Sequence, residues 1–226
     1  MKIEMIVPLM VALSSVGLVI FIIFYAQKQV KKRAADLLAL SQEKGYSYQS
    51  DDQNGERLYL QYSFFRLFTL GRKRGASNII SFQEGDLTVT VFDYTYTTGS
   101  GKSKSTHMST NIVIHQDNKN YPHFFIRKQS TVFDFLGKIF GGQDINYDED
   151  EEFSKEFVLQ GQDEEQTRKC FSSPENRFPF LIFADQNVTF EAKEQYFHYR
   201  HEGQISIEKF SEIVQQVQDL VSSLEV

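Results

Sequence analysis

Leu87-Thr88-Val89-Thr90-Val91-Phe92-Asp93-Tyr94-Thr95-Tyr96-Thr97 is the stretch that decides the fold. Side chains alternate across a strand, so residues two apart share a face. Leu87, Val89 and Val91 lie on one face, but from Phe92 onward the large residues Phe92, Tyr94 and Tyr96 lie on the other. A strand whose apolar face changes midway either bulges or passes between two packing layers, which makes it a central element rather than an edge.

Working outward, segments 57–62, 78–82, 108–115 and 123–128 read as further strands, separated by Gly, Asp, Asn and Lys turns, and together they predict an antiparallel meander. Segment 131–140 predicts a short amphipathic helix with Val132, Phe133, Leu136, Ile139 and Phe140 on one side, stopped by Gly141-Gly142. Ten carboxylates crowd 144–165, which reads as an acidic hinge, and 163–171 predicts a helix begun by acids and ended before Pro174. Segments 180–184, 188–192 and 195–201 read as three more strands. The clearest element is the last: Phe210, Ile213, Val214, Val217, Leu220, Val221 and Leu224 recur at helical spacing after an N-cap at Ser206.

Toward the N-terminus, residues 5–27 carry no charge, and 6–25 are apolar except for Pro8, Ser14, Ser15 and Gly17. Twenty helical residues reach about 30 Å, the thickness of the hydrocarbon layer, so the stretch predicts a transmembrane helix. A cleaved secretory signal would have a shorter apolar core and a small-x-small cleavage site, and Phe24-Tyr25-Ala26-Gln27 offers none. Lys28, Lys31, Lys32 and Arg33 follow the span at once, whereas only Lys2 precedes it, so the positive-inside rule puts the C-terminal domain in the cytoplasm of a single-pass inner-membrane protein. Val30, Ala34, Leu37, Leu38 and Ser41 keep helical spacing, and the span is expected to continue as a stalk that Gly45 ends.

The predicted class is α+β: a transmembrane helix (1–25), a helical stalk (26–44), a β-rich lobe (45–142) and an α+β lobe with the C-terminal helix (143–226), the two lobes forming one domain or two. The chain has 226 residues, with 24 Lys plus Arg against 30 Asp plus Glu, a net charge of −6. Such an acidic balance disfavours a nucleic-acid partner. Cys170 is the only cysteine, which excludes an intrachain disulfide and zinc sites needing several thiolates.

Several motifs approach known chemistry and fall short of it. Gly99-Ser100-Gly101-Lys102-Ser103 ends like a phosphate-binding loop, but the first glycine of that motif is replaced by Tyr96 and a strand, not a helix, follows, so a polar hairpin tip is the better reading. Asp144, Asn146, Asp148 and Asp150 have calcium-loop spacing, but Glu149 stands where a turn glycine is needed and Lys155 where a bidentate carboxylate is needed. His198 and His201, three apart on a strand, face opposite ways, and no metal or cofactor is expected. Arg66, Arg72, Lys73 and Arg74, interleaved with Phe64, Phe65, Leu67 and Phe68, form a basic-aromatic cluster. Of these Arg72, Lys73 and Arg74, with Lys28, Lys31, Lys32 and Arg33, are the candidate membrane-surface contacts.

Five short runs in one order carry a resemblance. They are 91–102 (from Val91-Phe92-Asp93 to Gly101-Lys102), Tyr121-Pro122-His123-Phe124, Gly142-Gln143-Asp144-Ile145, Phe153-Ser154 and Leu159-Gln160-Gly161-Gln162-Asp163-Glu164. The chain resembles a family of bacterial single-pass membrane proteins whose C-terminal domain has no assigned function, and the resemblance implies an envelope location but no catalytic residue. The expected role is a binding or scaffolding module whose partners are the lipid bilayer and a membrane or cytoplasmic protein. The alternative is an enzyme whose site gathers Asp93, Tyr94, His107 and His115.

Overall fold

The computed structural model describes residues 3–52, 57–129, 144–147 and 150–225, with side chains described from Gly17 onward. The predicted helix at 131–140 and the Gly141-Gly142 stop lie outside these residues.

The chain opens with a single helix, α1 (Ile3–Lys44). Among the described residues no helix is long and apolar enough to cross a membrane. The stretch expected to do so, 6–25, lies within α1, and its side chains before Gly17 fall outside the described part.

After α1 come β1 (Ser47–Asp51), a single helical turn α2 (Leu58–Gln61), a 3-10 turn at Arg66–Thr69, β2 (Arg72–Glu84), β3 (Leu87–Thr98), β4 (Ser105–His115) and β5 (Tyr121–Lys128). Then follow α3 (Glu151–Glu156), β6 (Phe157–Gly161), α4 (Glu164–Cys170), a 3-10 segment at Phe178–Phe183, β7 (Val188–Glu194), β8 (Tyr196–Glu202) and α5 (Ile207–Ser223). The α+β architecture agrees with the sequence reading, and the strands form one antiparallel eight-stranded sheet in the order β1-β2-β3-β4-β8-β7-β5-β6.

That order reflects an insertion. The β7–β8 hairpin slots between β4 and β5, and the link between those two strands runs past the hairpin turn, where Gln116 N–H donates to the Gln195 carbonyl at 3.0 Å. The expected boundary at 142/143 falls between β5 and β6, which are hydrogen-bonded neighbours in this sheet. The acidic stretch expected to act as a hinge places Ile145, Tyr147 and Phe153 in the core, with Ile145 bridging to Leu159.

β3 lies between two packing layers. On one face Leu87, Val89 and Val91 join Phe190, Phe197 and the α5 residues Val217, Leu220 and Val221. On the other, Phe92, Tyr94 and Tyr96 pack beneath a strap, 57–70, that supplies Tyr59, Phe65, Leu67 and Phe68. The change of face in the sequence therefore marks where one covering layer gives out and the other begins.

Two predicted strands are corrected. Segment 57–62 forms α2 and segment 180–184 belongs to the 3-10 run at Phe178–Phe183. Both are apolar runs that lie on the sheet instead of joining it, and Pro179 begins the second. β1 and β6, the sheet's two edges, were not predicted: β1 is polar, and β6 is short and set among acids. α4 starts where expected, with the Asp163 carboxylate accepting from Gln166 N–H. α5 also starts after Ser206, but the serine side chain makes no capping hydrogen bond.

Candidate functional site

Asp93 sits on β3 beside Gln204, in the segment that leads into α5, and it is 3% exposed. A buried carboxylate needs donors to replace water, and five reach it. Arg33 on α1 binds it in a fork, Nε to Oδ2 at 2.7 Å and Nη2 to Oδ1 at 2.8 Å. Asn78 Nδ2 donates at 2.9 Å, Thr110 Oγ at 2.9 Å and Gln204 Nε2 at 3.0 Å. Asn78 can reach because β2 bulges there: the register slips between Ser77 and Ile80, and Asn78 has φ +52°. The remaining arm of Arg33 donates from Nη1 to the Ile205 carbonyl at 2.6 Å, just before α5. One carboxylate thus ties α1, β2, β3, β4 and the α5 entry together.

This corrects the reading of Arg33 as a membrane-surface contact. Its side chain is 11% exposed, drawn inward by Asp93. The expected stalk packs on the sheet as well: Leu37 and Ser41 are buried there and Leu40 packs beside them. Above the clamp, Lys28, Lys31 and Lys32 stay exposed, with Lys32 paired to Asp36 at 2.8 Å. Further up, Leu18 through Tyr25 are each between 49% and 68% exposed on every side of the helix.

The four residues of the enzyme alternative do not converge. Asp93 is the clamp. Tyr94 points to the opposite face, edge-on to Phe68 with ring centroids 5.1 Å apart, and burial raises its phenol pKa. His107 pairs with Tyr96 near one end of β4 and His115 with Thr88 at the other, about 25 Å apart at strand spacing. The basic cluster divides as well. Arg74 is half-buried, donating to the Phe68 carbonyl at 2.7 Å and lying over the Tyr59 ring, whereas Arg72 and Lys73 are exposed.

Besides the Arg74 bond to the Phe68 carbonyl, the strap is held by Glu191 of β7: both its carboxylate oxygens accept the Arg66 N–H, at 2.9 and 3.1 Å, and His123 Nε2 of β5 lies 2.9 Å from its Oε1. Burial pushes the Glu191 pKa up, partly offset by His123. Beneath Phe65 and Phe68, His198 Nε2 lies 3.0 Å from Asn111 Oδ1, and burial lowers its pKa to about 3, which makes it a neutral packed ring. The Cys170 thiol is pushed up to about 11 by burial, so it is not poised as a nucleophile. Among the described residues no group of three or more His, Cys, Asp or Glu is placed to hold a metal.

Two cavities stand at opposite ends of the sheet. One, of about 600 Å³, is lined by Gly71, Arg72, Thr97, Thr98, Gly99 and His107. The other, of about 850 Å³, has Lys119, His123, Lys169, Cys170 and Lys193 in its wall.

These features define an antiparallel α+β sheet clamped to a long N-terminal helix. A solved structure to which the fold is similar is the mycobacterial trehalose monomycolate transport factor A, TtfA, with a TM-score of 0.52 and 11% sequence identity, covering 85% of this chain and 96% of that one. At that identity the likeness is one of fold. No family model and no curated protein matches the sequence.

Proposed function

We propose that the chain is a membrane-tethered binding or scaffolding module of a bacterial inner membrane. In this reading residues 6–25 cross the bilayer once, the sheet stands in the cytoplasm, and the partners are lipid and a membrane or cytoplasmic protein, with no nucleic acid. The observation that carries it is the run from Leu18 to Tyr25, exposed around the whole helix immediately above the Arg33–Asp93 clamp. A water-facing helix would show an apolar stripe on one side only, and an all-round apolar surface requires lipid or protein around it. The lysines at 28, 31 and 32 then fall at headgroup level, on the side the positive-inside rule assigns to the cytoplasm. The shared fold with a lipid-transport factor is in keeping with a lipid-related role.

Carbonate washing of membranes holding the full chain, together with a reporter enzyme fused after Val226, tests the reading. The chain should stay in the pellet and the reporter should be active only in its cytoplasmic form. Release by carbonate overturns the anchor, and an external reporter signal overturns the topology.

A further inference from the structure

The cavity between the start of β2 and the β3–β4 hairpin lies at a specific height on the molecule. Arg33 fixes α1 to the sheet at the level of Asp93, and α1 then runs beside β1 and β2 until Tyr46, just past its end, stacks on Phe82 with ring centroids 3.9 Å apart. The helix therefore runs opposite to β3, and its N-terminal part leaves the sheet at the end where the β3–β4 hairpin turns. From Asp93 to Gly99 the strand rises about 20 Å. Phe82 pairs with Val89, so the stretch from Arg33 to Tyr46, about 20 Å, passes only about 13 Å of β3, and α1 is inclined to the strand. At that inclination the rise from Asp93 to Gly99 reaches back along α1 to about residue 24, so the hairpin tip stands at the end of the exposed apolar run next to Lys28.

The cavity wall, Gly71, Arg72, Thr97, Thr98, Gly99 and His107, holds no carboxylate. No Asp or Glu occurs in 57–83 or in 94–116, which carry Arg72, Lys73, Arg74, Lys102 and Lys104, and Glu202 of β8, which acts on Tyr96, is paired with Arg200. The wall is built, not incidental. Arg72 Nη2 donates to the Gly99 carbonyl, one of five donors of the guanidinium fork. The His107 ring stacks on Tyr96, centroids 4.8 Å apart, with Nε2 2.8 Å from Thr98 Oγ. Gly71 and Gly99 have φ of +62° and +67°, and a Cβ on either would come within 2.6 and 2.2 Å of a backbone carbonyl oxygen.

We propose that this cavity binds the phosphate of an anionic phospholipid headgroup, with Arg72 as the main cationic contact, His107 and Thr98 as neighbouring polar groups, and Lys102 beside them on the hairpin tip. The proposal rests on the anchored reading above, because only an embedded α1 brings the cavity to headgroup height. A fork of guanidinium donors matches two phosphate oxygens, which is why arginine suits this task.

The chain contains no tryptophan, so Ser100→Trp on the exposed tip gives a single fluorescent reporter. Full chain carrying it is placed in nanodiscs of phosphatidylcholine, of phosphatidylcholine with phosphatidylglycerol, and of phosphatidylcholine with added inorganic phosphate. Emission should shift to the blue, and anionic lipid should be retained in preference, only in the second. Arg72→Ser and Lys102→Ser should each lower retention about fivefold, while Lys193→Ser at the opposite end leaves it unchanged, all with the parent melting temperature. Equal retention in parent and Arg72→Ser overturns the site. An equal response to inorganic phosphate alone also overturns it, in favour of a free-anion site. Discs that hold the chain without lipid preference sink the headgroup site and leave the anchor standing, whereas failure to enter discs sinks both.

Discussion

Arg33 and Asp93, 60 residues apart in sequence, meet in a two-point ion pair with the guanidinium Nε 2.7 Å from Oδ2 and Nη2 2.8 Å from Oδ1. Exposed pairs contribute little to stability, but here both partners are withdrawn from water. Removing one leaves the other buried and uncompensated.

Asp93→Ala should therefore cost about 3 to 5 kcal/mol, a melting shift on the order of 10 °C for a chain of this size. Arg33→Met with Asp93→Leu should recover much of the loss, since no orphan charge remains. Thermal melts of the full chain in detergent check this, and a single-variant shift below about 2 °C would mean that water reaches the pair.

The clamp also marks the limit of sequence reading. By sequence Arg33 reads as a membrane-surface contact and Asp93 as part of the enzyme alternative, and nothing in either stretch says that they meet, because pairing across 60 positions depends on how the helix lies on the sheet. The central position of β3 was legible, since alternation is local and the shift from Val91 to Phe92 has few causes. The edge strands were not: Ser47–Asp51 lacks apolar alternation, and Phe157–Gly161 is five residues long. The 57–62 and 180–184 runs were misread because an apolar run says that a segment is buried and says little about whether it joins the ladder or lies across it.

Acid should weaken the fold through His198. Its pKa falls from an ordinary 6.5 to about 3 in the folded chain, so the unfolded chain takes up the proton first. Stability is complete above about pH 6.5 and is lost as pH falls toward 3, by about 1.4 kcal/mol per pH unit well inside that window. Glu191 works the other way, since its raised pKa favours the folded state in acid. Urea titrations at several pH values should show a shallower acid slope for His198→Phe than for the parent, whatever the absolute stabilities. Identical slopes would refute the assignment.

Glu191→Ala removes the acceptor of the Arg66 N–H and the partner of His123. The strap should open while the sheet stays folded, so trypsin should cut at Arg57 and Arg66 several times faster, with little change in far-ultraviolet dichroism. Unchanged digestion would show that the packing of Phe65 and Phe68 and the Arg74 bond to the Phe68 carbonyl hold the strap without Glu191.

Gly99→Ala should destabilise by about 1 to 3 kcal/mol, because it combines a left-handed backbone with a Cβ 2.2 Å from the Ser103 carbonyl oxygen. Gly45→Ala shares the positive φ but meets nothing within 4 Å, and should cost about 1 kcal/mol. Denaturant midpoints compare the two, and equal losses would mean that the hairpin tip relaxes freely.

α1 is one unbroken helix from Ile3 to Lys44, about 63 Å long at 1.5 Å per residue, and the Arg33–Asp93 clamp welds its lower third to four other parts of the chain. Such a mast has no joint. Spanning helices lean by roughly 20° on average and change their lean with bilayer thickness. On the proposed reading, in which its upper part is embedded, each change of lean would swing the entire sheet, most at the Lys119–Lys193 cavity, so that a partner docked there would register the thickness of the membrane through a rigid lever.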